Sequence, residues 1–443
     1  MPTPQPSTDT DVIVIGAGPA GAAAARVLTA AGVHTVLLDR EHAVGGRTRT
    51  DRKHGFAIDS GAIFVMGTYR RTRSAIAGAG RTHHMRRWVA RTELRDARGR
   101  YPVRFDAPHT FLRAFLRVPQ LRWTDRVRLV AGIASLVLRR GPEPFDLQSL
   151  ADDDNGETME AWSRRMFGDR VHEYVVRPLM EPLTGADLST ISRSFLVALL
   201  RNAHRTRLTV PEDGMDRVTS WQLDDVDVRL NIHVESVRRE SAGLAVHTAD
   251  GVLTTRAVIV ATDAHTAAEL CTDVLGAAEL DALRRVQAIP LHHVAFGFRT
   301  DPWPDAGPDL VVPVGPGPHS DIGVLLGQRR RPGSAPEGGQ VVSVYFDGPR
   351  SAELGDRELL TEARRIVTEV HGPAEPDITE IYRRAYGLST AAPGHYRRML
   401  ALLARLPHDV QIAGDYLTQS GIEGAYIAGE RAAREILGSL GAG

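Results

Sequence analysis

The sequence predicts an α/β fold, α+β over the whole chain, in which a nucleotide-binding domain is interrupted by a second domain. Three observations lead to this prediction. A buried-strand pattern, a glycine-rich turn and a helix pattern follow one another from residue 11. Strand patterns return after residue 227, and a second glycine-rich segment leads into a helix that ends near residue 437. Apolar runs without alternation are typical of strands buried on both faces of a parallel sheet.

The first strand is predicted over Val12–Ile15, which is a continuous apolar run. The three glycines that follow are Gly16, Gly18 and Gly21. In a Rossmann-like unit such glycines permit a tight turn, the approach of a pyrophosphate and close packing of helix on strand. The helix is predicted from Ala20 to Ala31, directly after Pro19, and its N-terminal amides face the phosphates.

The second strand begins at Thr35 and ends at Asp39, about 20 residues after the glycines. A carboxylate in that place can accept hydrogen bonds from a ribose, and we include the adjacent Arg40 in the predicted site. Gly45 and Gly46 then precede Arg47. Two glycines followed by an arginine suit a loop around a phosphate, with the guanidinium as its counter-charge.

From about residue 76 the pattern changes to long, arginine-rich amphipathic stretches, which predict a mostly helical insertion. These stretches are Phe111–Val118, Thr124–Leu138, Met159–Phe167, Val171–Leu179 and Ser192–Ala203. A later segment, 286–404, alternates strands with a helix over Glu358–Val370. Its predicted strands include Val294–Phe298 and Val341–Phe346.

Between the two insertions, a strand pattern over Val228–Ile232 precedes a hairpin around Ala249-Asp250-Gly251 and a buried strand over Ala257–Ala261. Residues 11–75, 211–285 and 405–443 are therefore assigned to the nucleotide-binding domain. Residues 76–210 and 286–404 are assigned to a substrate domain. Residues 1–10 are polar and proline-rich, and we expect them to form a disordered tail.

Composition restricts the classes of partner. The 443 residues carry no net charge, so nothing favours a nucleic-acid partner. Cys271 is the only cysteine, which excludes an internal disulfide and fits a reducing cytoplasm. No apolar run reaches the ~18 residues of a membrane span. The longest, Leu129–Leu138, is consistent with a core helix or with a helix on a membrane surface.

With these motifs in order, the chain resembles the flavin amine oxidase and protoporphyrinogen oxidase superfamily, which also contains phytoene-desaturase-like enzymes. The resemblance covers nearly the whole length. Its further motifs are Asp59-Ser60-Gly61-Ala62, Pro211-Glu212-Asp213-Gly214-Met215, Val234, Ala261-Thr262 and Ala413-Gly414-Asp415 with the glycines and alanines of the last helix. Phe167–Ser189 is similar to the substrate-domain signature of protoporphyrinogen oxidases and desaturases.

The resemblance implies FAD as the cofactor and assigns its contacts. Asp39 holds the adenosine ribose, Arg47 holds the phosphates, and Val234 meets the adenine through its backbone. The residues implied near the flavin are Gly61, Ala62, Gly414, Asp415, Ile422, Glu423, Gly424 and Ala425. A helix N-terminus beside the flavin also stabilises its anionic reduced form. Because Cys271 lies far from the C-terminal segment, where some members attach the flavin, we expect FAD to be non-covalent.

Amine oxidases of the monoamine type usually carry a lysine that contacts flavin N5 through water. The only lysine here is Lys53, and the spacing to Trp303 places His293 where that lysine would be. His293 is therefore a candidate base, proton relay or water holder, or else only pairs with a backbone carbonyl. Further candidates on the same grounds are His292, His395 and Tyr396.

The expected function is an FAD-dependent oxidoreductase that abstracts a hydride from a C–N or C–C bond of a small organic, biosynthetic substrate. Electrons would pass to dioxygen or another acceptor. Two alternatives stay open: a flavin-bound cyclase or isomerase of a biosynthetic intermediate, and a non-catalytic FAD-binding protein. Peripheral membrane contact is compatible with the sequence, and neither the oligomeric state nor the substrate class follows from it.

Overall fold

A computed structural model describes residues 10–89, 91–96, 99–103, 113, 115–138, 141–202, 207–241, 243–304, 307–313, 324–329, 331–346 and 352–441. The strands are β1 (Thr10–Ile15), β2 (Thr35–Leu38), β3 (Thr50–Lys53), β4 (Phe56–Asp59), β5 (Val65–Met66), β6 (Met85–Arg87), β7 (Thr92–Asp96), β8 (Gly99–Val103), β9 (Leu208–Pro211), β10 (Asp227–Arg229), β11 (Val234–Glu240), β12 (Gly243–Thr248), β13 (Gly251–Val260), β14 (Gln287–Phe298), β15 (Leu310–Pro313), β16 (Val324–Gly327), β17 (Gln340–Phe346), β18 (Ile378–Thr390) and β19 (Val410–Ile412).

The helices are α1 (Pro19–Ala30), α2 (Arg70–Gly78), α3 (Trp123–Leu138), α4 (Leu147–Asp153), α5 (Met159–Phe167), α6 (Asp169–Val171), α7 (Arg177–Thr184), α8 (Ser194–Arg201), α9 (Arg217–Ser220), α10 (Ala264–Leu270), α11 (Ala277–Arg284), α12 (Asp356–His371), α13 (His395–Leu403) and α14 (Ile422–Leu440). A π-helical segment, His172–Val176, joins α6 to α7. Short 3-10 turns cover Gly46–Thr48, Thr82–His84 and Asp415–Leu417.

The first sheet has the order β10-β2-β1-β13-β12-β11, and β19 pairs with β13. Its centre is parallel, because β1 pairs in parallel with both β2 and β13. The predicted hairpin is present, since β12 and β13 pair antiparallel with Thr248 opposite Gly251. Helices α1 and α14 pack together against this sheet. The mixed α/β class predicted from the sequence is confirmed.

The second sheet has the order β18-β14-β17-β16-β15-β7-β8. Helix α12 covers one face through side chains such as Leu359 and Ile366, which meet Val294 and Phe346 of the strands. Strands β7 and β8 come from the segment predicted to be mostly helical. They form because β7 finds a partner more than 200 residues away, in the parallel pairing with β15.

Other boundaries differ from the sequence-based expectations in detail. Thr10, which was assigned to the tail, is the first residue of β1, and residues 1–9 lie outside the described part of the chain. The helix predicted over Phe111–Val118 also falls partly outside it. The stretch Val171–Leu179 is divided among α6, the π-helical segment and α7. All strands of the second sheet fall within 76–210 and 286–404, although the domain division itself stays a prediction.

Candidate cofactor and substrate site

The turn between β1 and α1 has no room for side chains. Gly16 has a φ of +106°, and a Cβ there would lie 2.8 Å from the carbonyl oxygen of Ala261. A Cβ on Gly21 would lie 1.9 Å from the carbonyl oxygen of Gly16, so α1 can pack this close to β1 only with glycine present. The roles predicted for Gly16 and Gly21, a tight turn and close packing of helix on strand, therefore have a steric basis in this chain.

The N-terminus of α1 opens into a cradle made of backbone. No side chain caps the helix at Gly18, and Pro19 is its first residue. Gly18 faces Gly46, whose Cβ would lie 3.2 Å from the Gly18 Cα. Uncapped helix amides beside a side-chain-free cleft suit an anionic group such as a pyrophosphate. The residues present therefore fit a dinucleotide cofactor.

Asp39 lies directly after β2, where the sequence placed it. Its carboxylate accepts hydrogen bonds from the backbone N–H of Ala17, at 2.6 Å, and of Glu41, at 2.8 Å. Burial raises the pKa of Asp39, although both hydrogen bonds act in the opposite direction. The side chain of Arg40 is largely exposed, and its Nε lies 3.8 Å from Oε1 of Glu41. Val234 begins β11, and its side chain belongs to the core of the first sheet.

Arg47 joins the N-terminal and C-terminal motifs. Its Nη2 donates to Oδ1 of Asp415 over 2.6 Å, although 368 residues separate the two in sequence. Burial alone would lower the pKa of Arg47, but the Asp415 carboxylate raises it overall. The other oxygen of Asp415 accepts from Ser420 and from the backbone of Gly421, just before α14. This ion pair fixes the loop of Gly45, Gly46 and Arg47 relative to the last helix.

Glu423 and Asp59 have structural contacts that the sequence did not indicate. The Glu423 carboxylate accepts from the backbone N–H groups of Arg71 and Thr72 and from the Thr72 hydroxyl, and so caps α2. Asp59 is 1% exposed, pairs with Arg331, and accepts from the Met215 backbone at 2.9 Å. Asp59 thus connects two of the motifs on which the family resemblance depends.

A cavity of about 340 Å³ lies between the two sheets and the helices of the inserted segment. One end is formed by motif residues, namely Pro19, Arg47, Gly61, Ala62, Asp415, Ile422 and Ala425. The other end is formed mainly by apolar side chains, which include Phe64, Met66, Leu94, Phe115, Phe145, Leu179, Leu183, Phe195, Leu199, Leu200, Leu208, Leu291, Leu310, Val312 and Val324. Gly414, Glu423 and Gly424 adjoin these residues in sequence but are not part of the lining.

Arg384 is a cation of the cavity wall that sequence reasoning missed. It lies on β18 opposite Leu291, and it donates to the carbonyl oxygen and to the hydroxyl of Ser60. Burial, and then the charges of Arg49 and Arg47, lower the pKa of Arg384 to about 10. None of the ion pairs among the described residues neutralises it. The sequence did not predict the position of Arg384, because β18 shows no regular alternation of apolar and polar residues from which a strand could be recognised.

His293 lies on β14 between two aromatic rings. It stacks on Tyr345, with 4.7 Å between ring centroids, and on Tyr382, with 4.5 Å. It is 1% exposed, and burial together with the charge of Arg384 lowers its pKa to about 3. Tyr345 lines the cavity, whereas His293 lies behind it and is not among the described lining residues. Its role in proton handling stays a prediction.

The other three candidate catalytic residues also lie away from the cavity lining. His292 pairs with Phe346 and Arg383, and alternation along β14 turns it to the face opposite His293. The Nε2 of His395 lies 2.7 Å from the carbonyl oxygen of Tyr416. Tyr396 is fully buried in a cluster with Leu150 and its neighbours. The predicted functional roles of these three residues stay predictions.

The low pKa of His293 leads to a prediction about stability. Unfolding restores a pKa near 6.5, so the unfolded state binds the proton first and stability falls as the pH drops from about 6.5 towards 3. His293→Phe keeps an aromatic ring between the two tyrosines and removes this linkage. Urea unfolding of the FAD-saturated proteins measures this effect. Between pH 7.5 and pH 5 the free energy of unfolding of the parent should fall by about 2 kcal/mol more than that of the variant. Equal losses in both proteins would contradict the buried, neutral state of His293.

Two findings concern ions and membranes. Among the described residues, no group of three or more His, Cys, Asp or Glu side chains could hold a metal ion. Within the same part of the chain, no helix is long and apolar enough to cross a membrane.

Comparison with known proteins gives a consistent result. The sequence profile of the flavin-containing amine oxidoreductases matches residues 19–437. Solved structures with the same fold include a provisionally assigned protoporphyrinogen oxidase from Exiguobacterium sp. 255-15, at 18% identity, with 97% of this chain and 99% of that chain covered and a TM-score of 0.75. Cyclohexylamine oxidase from Brevibacterium oxydans IH-35A matches at 18% identity over 98% and 100% of the two chains, with a TM-score of 0.75.

A third solved structure, reduced UDP-galactopyranose mutase, matches at 15% identity over 97% of this chain and 96% of that chain, with a TM-score of 0.73. Among curated proteins, no sequence matches this chain closely enough to identify a relative. The names of these three structures imply different substrates, so the shared fold does not select one substrate for this chain.

Proposed function

Since the chain belongs to the family of flavin-containing amine oxidoreductases, we propose that it oxidises a small, largely apolar organic molecule by removing a hydride from a C–C or C–N bond. When bound, FAD accepts the hydride and passes the electrons to dioxygen or another acceptor. The partners implied are this substrate and that acceptor. A biosynthetic role and a cytoplasmic location are parts of the same proposal, the second because Cys271 is the only cysteine.

The observation that carries the proposal is the composition of the cavity. Its charged side chains are Arg47, Asp415 and Arg384. Arg47 pairs with Asp415, and Arg384 donates to Ser60, which directly precedes Gly61 at the end formed by the cofactor motifs. The rest of the wall is mostly apolar and carries no further charge, with hydroxyl groups only on Thr48, Thr68, Tyr69, Tyr345 and Ser420 among the described lining residues. This composition favours an apolar substrate over a small cationic amine. Apolar walls also exclude water, and they hold the substrate at the point where it would face the flavin.

One charged group of the wall is suited to orient the substrate. Arg384 is only partly buried, and it keeps a net positive charge after donating to Ser60. A substrate oxygen that accepts from its guanidinium would form a charge-assisted hydrogen bond. We therefore propose that the substrate has a carbonyl or acidic group at one end of an apolar body.

Lys53 does not support the lysine–water route of the monoamine-type enzymes. Its Nζ pairs with Glu380 at 2.7 Å, and its side chain is 44% exposed on β3. It is not among the described residues that line the cavity. We therefore expect no rapid oxidation of simple primary amines that depends on Lys53.

FAD is proposed to be bound without a covalent link. Cys271 is fully buried in the core of the first sheet, and burial raises the pKa of its thiol to about 12. A thiol that stays protonated and inaccessible is a poor candidate for attachment to flavin. Acid precipitation of the purified protein should release a yellow supernatant that contains FAD. Flavin that remains with the precipitate would contradict this prediction.

The experiment that tests the proposed function is reduction of the bound flavin without oxygen. Candidate amines, porphyrinogens, polyenes and polyketide intermediates are mixed anaerobically with the holoprotein, and the flavin absorbance is followed. Bleaching by an apolar candidate, with oxidised product formed, supports the proposal. Turnover without net oxidation would instead identify a flavin-bound cyclase or isomerase. Binding without bleaching or turnover for every candidate would identify a non-catalytic FAD-binding protein.

A further inference from the structure

Helix α3 exposes an apolar face. Of the eight large apolar side chains that are exposed among the described residues, five lie on this helix. They are Trp123 (73% exposed), Val127 (56%), Val130 (43%), Val137 (58%) and Leu138 (86%). At about 100° per residue these five fall within a sector of about 100° of the helix. We call them the apolar stripe of α3.

The opposite face of α3 packs into the protein. Leu129, Gly132 and Leu136 are buried. A Cβ on Gly132 would lie 2.4 Å from the ring of Phe167, so the glycine allows the helix to pack closely on that side. The apolar stripe is therefore a second apolar face on a helix whose core-facing side is already satisfied. A monomeric surface rarely concentrates apolar side chains in this way without an interaction partner.

Positive charge is concentrated in the sequence next to the apolar stripe. At about 100° per residue Arg126 borders the stripe, whereas Arg128 lies outside it and donates to the carbonyl oxygens of Arg165 and Met166. Between residues 113 and 138 the sequence has five arginines and a single acid, Asp125, although the whole chain carries no net charge. The arginines are Arg113, Arg117, Arg122, Arg126 and Arg128. None of them takes part in an ion pair among the described residues. Asp125 accepts from the backbone N–H of Arg122 at the start of the helix.

Three roles are conceivable for an exposed apolar helix face: crossing a membrane, contact with a second copy of the chain, and binding to a lipid surface. A transmembrane role is excluded for α3, because 16 residues are fewer than the ~20 that cross a bilayer. A symmetric contact with a second copy would bring two sets of uncompensated arginines together, which is unfavourable. An anionic lipid surface offers both apolar depth for the stripe and negative charge for the arginines.

We propose that α3 docks flat on an anionic phospholipid bilayer, with the apolar stripe inserted and the flanking arginines at the headgroups. Trp123 at the start of the stripe suits the interface, where tryptophan is enriched. The docked helix also adjoins the main cavity. A small apolar cavity lies under α3, lined by Leu129 and Ile133, and shares Phe115, Leu179 and Leu200 with the main cavity wall. An apolar substrate of the proposed reaction would thus be used close to the membrane.

The test uses the full-length holoprotein and sedimentation with vesicles. One set is phosphatidylcholine alone, and the other contains about one third phosphatidylglycerol, which supplies the negative surface charge. The stripe variant is Val127→Ser/Val130→Ser/Val137→Ser, in which serine keeps a similar helix propensity to valine. Val252→Ser is the matched control, because Val252 is 49% exposed on β13, outside the stripe. Equal FAD content and thermal stability in all proteins verify that each variant is folded.

The parent and Val252→Ser should sediment with the anionic vesicles, and added salt should weaken binding. The stripe variant should bind at least about tenfold more weakly. Arg117→Ser/Arg122→Ser should lose most of the preference for anionic over neutral vesicles. Fluorescence of the bound protein should shift to the blue, and this shift should be absent in Trp123→Phe.

Three results would overturn the proposal. The first is a parent protein that does not sediment with anionic vesicles. The second is a stripe variant that binds as well as the parent. The third is a parent that is dimeric in light scattering while the stripe variant is monomeric, because the stripe would then be a contact between copies of the chain.

Discussion

Arg47→Ala is expected to abolish stable retention of FAD. The change removes the proposed counter-charge of the cofactor phosphates and leaves Asp415, which is 4% exposed, without its cationic partner. Removing one member of a buried ion pair costs about 3–5 kcal/mol, and the 30% exposed side chain of Arg47 places this pair at the lower end of that range. If this cost falls on the FAD-bound state, it corresponds to a loss of roughly a hundredfold in FAD affinity. The measurement is the ratio of FAD to protein after desalting, together with a Kd from flavin fluorescence.

A second variant separates charge burial from cofactor binding. In Arg47→Ala/Asp415→Asn the buried carboxylate is neutral, so the apoprotein should regain stability while FAD binding stays weak. Arg52→Ala is the matched control, because Arg52 pairs with Asp216 and its side chain is 40% exposed. The control should retain FAD. Full FAD content in Arg47→Ala would show that the phosphates lie elsewhere.

Gly429→Ala and Gly438→Ala should have opposite effects although both glycines lie in α14. A Cβ on Gly429 would lie 2.1 Å from the carbonyl oxygen of Ala20, so α1 and α14 would have to move apart. Overpacking and displacement of this kind typically cost about 1–3 kcal/mol, and we expect the upper end because backbone is involved. Apart from its own helix backbone and chain neighbours, no atom of the described residues lies within 4 Å of the Cβ position of Gly438. Alanine there should stabilise the helix by about 0.5–1 kcal/mol.

Thermal or urea unfolding of the two variants, with and without added FAD, measures this difference. Gly429→Ala should also lose FAD affinity, because the displaced helix α1 carries the uncapped amides of the cradle. Gly438→Ala should bind FAD as the parent does. An increase in stability in both variants would show that the close packing of α1 on α14 is not required.

The parts of the fold that were predictable depend on local patterns. The strand Val12–Ile15, its glycines and the hairpin at Gly251 follow from residue type and spacing alone. Strands β7 and β18 were not predicted, because their stability comes from partners far away in the sequence, as in the pairing of Leu310 with Thr92. A strand with mixed polar and apolar residues gives no periodic signal when its neighbours provide the pairing.

In the candidate site, too, the sequence predicted individual residues but not their contacts with residues far away in the chain. Arg47 and Asp415 could each be assigned from a motif, but their mutual ion pair is visible only in three dimensions. The sequence predicted His293 to lie on a strand, as it does in β14, but it could not reveal the two tyrosines that enclose the ring. Its predicted position near the flavin stays a prediction. Arg384 has no sequence signal, because an arginine is unremarkable in a chain with so many. Arg384 stands out only because it is partly buried and has no carboxylate partner among the described residues, and both features depend on the tertiary structure.

The most direct test of the account is the anaerobic reduction of bound FAD in a protein whose apolar cavity has been narrowed. Leu183 lines that cavity on α7 and is partly exposed, so Leu183→Trp should be tolerated by the fold. If the substrate lies in the cavity, the variant should keep its FAD, while reduction by the apolar substrate that bleaches the parent should slow at least tenfold. Dithionite should still reduce both proteins equally. Unchanged reduction by the substrate in a fully FAD-loaded Leu183→Trp protein would contradict the assignment of this cavity as the substrate site.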